Sequence, residues 1–181
     1  MNTERITTAR LELVGCTPEL LRAEGDDRAR FAALLEAAVP ESWPPELYDE
    51  DARQWTLRAV EETPDAAGWW MYYVVGDEPG GRELVGVVGY KGPPTEDGTV
   101  EVGYGILPEY RRRGYAVEAT RALIGRAFGF PQVTRVVAET YPHLVPSLGV
   151  MGRCGLTFAG DGSEEGVVRY ELPRERWSPA R

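Results

Sequence analysis

The segment VEVGYGILPEYRRRGYAVEATRALIGRAFGF, residues 100–130, joins a strand pattern to a long amphipathic pattern through three arginines and a glycine. Pro131 ends the amphipathic stretch, and a second strand pattern, VTRVVAETYP, follows shortly after it. A strand, a helix and a strand in this order form a right-handed crossover whose two strands lie parallel in one sheet. The segment therefore predicts an α/β (α+β) fold with a mixed sheet.

Periodicity along the whole chain predicts the order β-α-α-β-β-β-α-β-α-β-β. The first strand is RLELVG, and one of the helical stretches after it, DEDARQWTLRAVEETP, should face Trp55 and Leu57 inward. Three strands rich in aromatic and β-branched residues should form an antiparallel meander before the crossover. The sequence contains no internal repeat and no linker, so residues 1–181 are expected to form a single domain.

Composition narrows the classes of function. The 181 residues carry a net charge of −9, whereas a protein that binds duplex nucleic acid needs a positive surface. The single histidine, His143, and the two distant cysteines, Cys16 and Cys154, predict neither a metal site nor a disulfide framework. No apolar run is long enough to span a membrane, and the start, MNTERITTAR, lacks the apolar core of a signal peptide. We therefore expect a cytoplasmic protein.

The arginine–glycine turn has the features of an anion-binding site. The first amides of a helix lack internal partners and lie at the positive end of the helix dipole. Gly114 lets a phosphate approach the main chain closely, and the small Ala116 keeps that approach open. The arginines that can add charge-assisted hydrogen bonds are Arg111, Arg112 and Arg113. Two alternatives remain: a solvated helix face and a nucleic-acid surface.

The turn lacks the two commonest nucleotide-binding motifs. The sequence has no GxGxxG after a first strand and no Gly-Lys-Ser or Gly-Lys-Thr. The strand before the turn contains Gly103 and Gly105, and glycines inside a strand often mark a bulge or the close approach of a ligand. A strand that separates from its neighbour here would leave backbone groups free to pair with a ligand.

Four short motifs agree with those of one family. The matching positions are Arg111, Gly114 and Ala116 for Arg/Gln-x-x-Gly-x-Gly/Ala, residues 101–104 for Glu-Ile-Gly-Tyr, residues 138–140 for Ala-Glu-Thr, and Gly155 with Leu156 for Gly-Phe. In these motifs the chain resembles the GCN5-related N-acetyltransferases (GNAT), in the branch of ribosomal-protein-alanine N-acetyltransferases of RimJ and RimL type. The element order also agrees from Arg10 to Leu172.

The resemblance implies a GNAT fold, with flanking helices and a sheet splayed into a V between the strands at 100–107 and 133–141. It also implies acetyl-CoA as the cofactor. The pantetheine arm would lie in the V and pair with the backbone around Gly105, Ile106 and Leu107. The pyrophosphate would bind the turn, whose implicated residues are Arg111, Arg112, Arg113, Gly114, Tyr115 and Ala116.

The resemblance further implies an enzyme, an N-acetyltransferase, with Glu101 and Ser147 as its catalytic residues. Glu101 would accept the proton of the amine, and Ser147 would donate to the sulfur of the coenzyme. The alternatives are that Glu101 pairs with an arginine or lies on a solvated face, and that Ser147 is the N-cap of a short helix. Leu144 stands where the family has asparagine, which favours a second function, a catalytically degenerate acyl-CoA-binding or regulatory module.

The acceptor is expected to be a primary amine, of a protein N-terminus or a small molecule, acetylated directly in a ternary complex. The resemblance places the acceptor mouth at two acidic loops, ESWPPELYDE and GDGSEEG. The first loop supplies Trp43 and Tyr48 as predicted substrate-binding residues, because aromatic and acidic walls suit a protonated amine. The alternative is that these loops are acidic only because they are solvated. No nucleic acid or membrane is expected as a partner, and the chain is expected to be a monomer or a homodimer.

Overall fold

The computed structural model describes residues 3–178. The strands in this part of the chain are β1 (Arg5–Thr7), β2 (Leu11–Gly15), β3 (Met71–Glu78), β4 (Gly81–Tyr90), β5 (Thr99–Ile106), β6 (Arg135–Thr140), β7 (Thr157–Asp161) and β8 (Val168–Pro173). The α-helices are α1 (Pro18–Asp26), α2 (Arg28–Leu35), α3 (Glu50–Glu62), α4 (Tyr115–Phe128) and α5 (Val145–Arg153). Short 3-10 helices lie at Pro64–Trp69, Pro108–Tyr110 and Arg174–Arg176.

The strands form one sheet in the order β1-β2-β3-β4-β5-β6-β8-β7. Neighbouring strands are antiparallel except β5 and β6, which are parallel and are joined through α4. This arrangement confirms the predicted crossover and the mixed, mostly antiparallel sheet of an α/β fold. Compared with the predicted order, the structure has an additional edge strand, β1, and an additional helix before β3.

The additional helix arises because the chain breaks at Asp27. The backbone of Asp27 is extended, with φ −150° and ψ 91°, which ends α1. The Asp27 side chain accepts a hydrogen bond from Arg30 N at 3.0 Å and so caps α2. In the same way Thr17 accepts from Leu20 N at 3.2 Å and caps α1. Capping side chains therefore decide where these helices begin.

Buried side chains form one core on each face of the sheet. The core beneath α4 and α5 includes Val100, Val102, Leu123, Ile124 and Met151. The core beneath α1, α2 and α3 includes Leu21, Phe31, Leu35, Tyr73 and Val75. Leu57 packs against this second core as predicted, but the inward orientation predicted for Trp55 is wrong, because Trp55 is 50% exposed. The helical phase of α3 instead buries Arg53, Thr56 and Val60.

The gap between β5 and β6 is the feature that shapes the site. Residues 99–101 of β5 pair with residues 135–137 of β6. Beyond Glu101, β5 remains paired with β4 as far as Ile106, and β6 remains paired with β8 as far as Thr140. The two strands therefore diverge after Glu101 and leave a V-shaped opening in the sheet, as the resemblance implied.

Gly98 fixes the start of the parallel pair, and we expect Gly98→Ala to destabilise the protein. Its φ is +78°, a Cβ there would overlap the carbonyl oxygen of Gln132, and its own carbonyl accepts from Thr134 N at 2.8 Å. The variant should lose about 1–3 kcal/mol of free energy of unfolding in urea denaturation. Gly103→Ala is the matched control, because nothing lies within 4 Å of its Cβ position. Equal stability of the two variants would contradict this account.

Candidate functional site

The backbone of β5 directs alternate residues toward β4 and toward the gap. Leu107 N donates to Val85 O at 2.9 Å, and Lys91 N donates to Glu101 O at 3.0 Å, so the odd-numbered residues pair with β4. Because ladder groups alternate along a strand, the even-numbered residues direct their N–H and C=O groups to the opposite side. The even-numbered residues at and beyond the end of the pairing with β6 are Val102, Tyr104 and Ile106. The Val102 N–H still belongs to the pairing of Glu101 with Val137, so the open edge is formed by Tyr104 and Ile106.

The predicted pantetheine segment, residues 105–107, therefore divides into two kinds of residue. Gly105 and Leu107 direct their backbone groups to β4, whereas Ile106 directs its N–H and C=O into the gap. The Ile106 carbonyl accepts a hydrogen bond from Arg111 Nε at 2.9 Å. The Ile106 N–H is consequently the backbone donor of this segment that is oriented toward a ligand in the gap.

The turn between β5 and α4 presents its amides outward. Arg112 and Gly114 both have left-handed backbone conformations, with φ of +64° and +82°. Glu118 N donates to Gly114 O at 3.0 Å, so α4 begins only after the turn. Across the chain from residue 3 to residue 178, no acceptor is bonded to the amides of residues 112–116. Free amides around left-handed residues at a helix start form a concave anion site.

The three arginines of the turn have different surroundings. Arg111 forms an ion pair with Glu46 at 2.8 Å. Arg113 forms an ion pair at 2.7 Å with the buried carboxylate of Glu78. Within residues 3–178, Arg112 has neither an ion pair nor a side-chain hydrogen bond. Arg112 is therefore the arginine of the turn whose charge remains available to an anion.

Tyr115 and Ala116 contribute backbone to the turn rather than side-chain contacts. The Tyr115 side chain is buried against the core, and its hydroxyl donates to Glu78 Oε1 at 2.6 Å. The guanidinium of Arg10 lies over the Tyr115 ring, 4.9 Å from its centroid. Ala116 is partly buried against the core beneath α4. These contacts hold the first turn of α4 in place, so that its amides stay directed outward.

Ser147 contacts Tyr104 at the mouth of the gap. The Tyr104 hydroxyl donates to Ser147 O at 2.9 Å and lies 3.1 Å from Ser147 Oγ. Burial raises the pKa of Tyr104 to about 12, so this hydroxyl is protonated at neutral pH. Ser147 is the third residue of α5, and Leu144 is its N-cap, without a side-chain bond. The alternative interpretation of Ser147 as an N-cap is therefore wrong.

Glu101 lies on the opposite face of β5 from Tyr104. Val100 is buried in the core beneath α4, and alternation places Glu101 on the other face with Gly103 and Gly105. The Glu101 carboxylate forms an ion pair with Lys91, not with an arginine, and its side chain is 20% exposed. Nothing lies within 4 Å of the Cβ position at Gly103, so the surface beside Glu101 is open.

Trp43 and Tyr48 direct their polar atoms inward, to a carboxylate that the sequence analysis missed. Trp43 Nε1 and Tyr48 Oη each donate to Glu24 at 2.9 Å, and Tyr73 Oη donates to Glu24 at 2.7 Å. Tyr48 is buried and Trp43 is partly buried. The two side chains therefore anchor the loop of residues 40–49 to α1. With its hydroxyl bonded and its ring buried, Tyr48 does not line an open surface.

The middle of loop 40–49 covers the end of β5. A Cβ at Gly105 would lie 3.6 Å from Pro45 and 3.7 Å from the Glu46 carbonyl oxygen. Leu47 is 91% exposed and has a φ of +67°. The loop thus forms the wall of the gap on the face that carries Glu101, and it displays an apolar side chain to solvent beside that wall.

Metal ligands, membrane-spanning helices and reactive thiols would each indicate a different function for residues 3–178. Between residues 3 and 178, no group of three or more His, Cys, Asp or Glu side chains is arranged to hold a metal ion. In the same part of the chain, no helix combines the length and the apolar character needed to cross a bilayer. Burial raises the pKa of Cys16 to about 12 and that of Cys154 to about 11, so neither thiol is a ready nucleophile at neutral pH.

The chain is similar in sequence to acetyltransferases. The family model described as an acetyltransferase (GNAT) domain matches residues 19–157. The FsC-acetyl coenzyme A-N(2)-transacetylase of Aspergillus fumigatus is 29% identical over 134 residues, which cover 68% of this chain and 57% of that protein. YjdG, an uncharacterized N-acetyltransferase of Bacillus subtilis, is 41% identical over 57 residues, which cover 32% of this chain and 34% of that protein. The alignments thus span less than two thirds of these curated relatives.

Solved structures share the fold across nearly the whole chain. RimL, a ribosomal L7/L12 alpha-N-protein acetyltransferase in complex with coenzyme A, superimposes with a TM-score of 0.68 at 17% identity, covering 96% of this chain and 99% of that chain. An acetyltransferase of the GNAT family from Bacillus anthracis gives a TM-score of 0.61 at 21% identity, covering 95% of this chain and 99% of that chain.

The buried carboxyl of Glu24 should make stability depend on pH in a defined direction. Burial raises the pKa of Glu24 above its usual value, although the hydrogen bonds from Tyr73, Tyr48 and Trp43 oppose this. A carboxyl with a raised folded-state pKa stabilises the folded state less as pH rises from its unfolded value, about 4.3, through its folded value. The free energy of unfolding of the wild type, relative to Glu24→Gln, should therefore fall as pH rises above about 4.3.

Urea denaturation of both proteins across this pH range measures the difference. Comparison with the variant cancels the contributions of other carboxyls, such as Glu139, whose pKa is lowered in the folded protein by Ser163 and Arg169 against the effect of its burial. A difference that stays constant or grows with pH would show that Glu24 is not held in a buried environment.

Proposed function

Because the chain belongs to the acetyltransferase (GNAT) domain family, we propose that it transfers the acetyl group of acetyl-CoA to a primary amine. The observation that carries the proposal is the gap along β5 with the free amides of residues 112–116 at its end. A strand edge that ends in an anion site suits a ligand with a phosphate head and an amide-containing arm.

The residues present fit the coenzyme. The amides of residues 112–116 and the charge of Arg112 would hold the pyrophosphate, and Gly114 places no Cβ in its way. The gap-facing backbone groups of Tyr104 and Ile106 would pair with the arm, as a sheet edge pairs with an added strand. When bound, acetyl-CoA supplies the acetyl group as an activated thioester.

Glu101 is the proposed base. An ammonium group has no lone pair, so the acceptor must lose a proton to attack, and a positioned carboxylate can accept it. Glu101 stands where β5 and β6 diverge, beside the open surface at Gly103. Its pairing with Lys91 holds the carboxylate at that point.

Ser147 and Tyr104 are the proposed donors on the other face of the gap. Ser147 Oγ would donate a hydrogen bond to the departing sulfur, and Tyr104, 3.1 Å away, would orient it. The acceptor and the coenzyme would then meet in the gap and react directly in a ternary complex.

The acceptor would approach Glu101 from the face that carries loop 40–49. The exposed groups at that wall are the carboxylate of Glu46 and the apolar Leu47, which together suit an amine with an apolar neighbour. The amine of a protein N-terminus fits this description, and RimL is named as an alpha-N-protein acetyltransferase. A small-molecule amine fits equally, and the Aspergillus fumigatus relative is named as an N(2)-transacetylase.

A second candidate function is a coenzyme-binding module without turnover. It is favoured by Leu144, which stands at the N-cap of α5 and makes no side-chain capping bond there. A polar residue at this position could have capped α5 through its side chain. Glu101 still offers a carboxylate that can act as a base, and Ser147 and Tyr104 still offer hydroxyl donors. These groups favour the enzyme.

Binding of acetyl-CoA tests the first half of the proposal. By isothermal titration we expect Arg112→Glu to weaken acetyl-CoA binding by about tenfold or more, because a charge-assisted contact becomes a repulsion. Arg58→Glu, on the exposed face of α3, is the control with the same change in net charge. Equal weakening in both variants would assign the effect to the overall field, and no binding by the wild type would end the proposal.

Turnover tests the second half. A panel of peptides with free N-termini and of small primary amines is screened with acetyl-CoA by release of the coenzyme thiol. For any accepted amine, Glu101→Gln should lower kcat by about 100-fold or more while acetyl-CoA affinity stays near that of the wild type. Glu171→Gln, a carboxylate of β8, is the control. An unchanged kcat in Glu101→Gln would remove Glu101 from the mechanism.

A further inference from the structure

The side chains of loop 40–49 differ in how they are bonded: Trp43 and Tyr48 bond to a partly buried carboxylate, whereas Glu46 and Leu47 are exposed. Trp43 and Tyr48 are both bonded to the partly buried carboxylate of Glu24. Between them, Glu46 and Leu47 are exposed, and the side-chain polar contact of this central stretch is the ion pair of Glu46 with Arg111. Next to the buried Pro45, the side chains of Glu46 and Leu47 are therefore the part of the loop that one exposed polar contact holds.

Arg111 also reaches the strand that borders the gap. Its Nη2 lies 2.8 Å from Glu46 Oε2, and its Nε donates to the gap-facing carbonyl of Ile106 at 2.9 Å. The next residue, Arg112, begins the left-handed turn that presents the free amides. The Arg111 guanidinium thus contacts both Glu46 of loop 40–49 and the backbone of β5. The Arg111 backbone leads directly into the turn that presents the free amides.

The exposure of this contact suits a reversible link. The side chains of Arg111 and Glu46 are 45% and 75% exposed, and exposed ion pairs add little to the stability of a fold. A pair that stabilises little can still transmit a change, because it joins the exposed part of the loop directly to the residue that precedes the turn. The other contacts between these segments are Pro45 and the Glu46 carbonyl above Gly105, and the hydrogen bond of Ser42 with Glu109.

We propose that Arg111 is a positioning residue that couples coenzyme binding at the turn to the conformation of loop 40–49, and that it is not a phosphate ligand. This inference rests on the proposed function, since the ligand of the turn is acetyl-CoA. Bound acetyl-CoA restricts the turn at residues 112–114, Arg111 is held with the turn, and Glu46 follows Arg111. By linkage, an ordered loop favours coenzyme binding to the same extent.

The opposite assignment, in which Arg111 binds the phosphates directly, gives a different result for Glu46→Gln. If Arg111 were a phosphate ligand, removal of the competing carboxylate would strengthen acetyl-CoA binding. As a positioning residue, Arg111 loses its link to the loop in this variant, and the affinity for acetyl-CoA stays equal or falls.

Hydrogen exchange of the loop amides measures the coupling without any acceptor. Trp43 N donates to Pro40 O at 3.0 Å and Tyr48 N donates to Pro45 O at 3.2 Å, so both amides report on loop order. In the wild type, saturating acetyl-CoA should slow the exchange of the peptide that contains them by about fivefold or more. In Glu46→Gln and in Arg111→Lys the slowing should be lost although acetyl-CoA still binds.

Glu109→Gln is the matched control. It removes an equal charge next to the same turn, at a residue that contacts the same loop through Ser42, and it should keep the slowing. Binding of acetyl-CoA without slower exchange in the wild type, equal slowing in Glu46→Gln, or tighter binding by Glu46→Gln would each overturn the inference. No binding by the wild type would overturn the proposed function as well, so the two failures are distinguishable.

Discussion

The parallel pairing between residues 99–101 and 135–137 is the interaction on which the rest of the site depends. It is long enough to join the two halves of the sheet and short enough to leave the remainder of β5 unpaired on one side. Backbone groups left unpaired inside a protein carry a free-energy penalty unless a partner satisfies them. The fold accepts an open ladder at Tyr104 and at the Ile106 N–H, and this open edge is what would let the sheet receive a ligand as an additional strand.

Two cores hold the gap open from its two faces. The core beneath α4 and α5 fixes the helix start whose amides are free, because Tyr115 and its contact with Glu78 prevent the first turn from rotating. The core beneath α1, α2 and α3 supports the wall on the opposite face. Each face therefore contributes one half of the proposed chemistry: Ser147 with Tyr104 on one side, and Glu101 on the other.

The charged side chains that surround the gap are mostly committed to one another. Arg111, Arg113 and Lys91 are each paired with a carboxylate, so the turn presents far less free positive charge than its three consecutive arginines suggest. This pairing agrees with a net charge of −9 and favours a compact anion site, made of amides and one arginine, over an extended basic surface. It also makes the exposed ion pair of Arg111 with Glu46 available as a link between the turn and loop 40–49.

The sequence by itself determined seven of the eight strands, the long helix, the parallel crossover and the glycine turn that is proposed to bind an anion, because these follow from local periodicity, from glycine at a left-handed position and from helix ends. Tertiary structure alone decided which arginine keeps a free charge, that Tyr104 meets Ser147, and that Glu24 gathers two side chains of loop 40–49. These contacts join residues that are 19 to 65 positions apart, and no local pattern encodes them. They depend on how the sheet and the helices pack, which fixes distances that spacing along the chain leaves open.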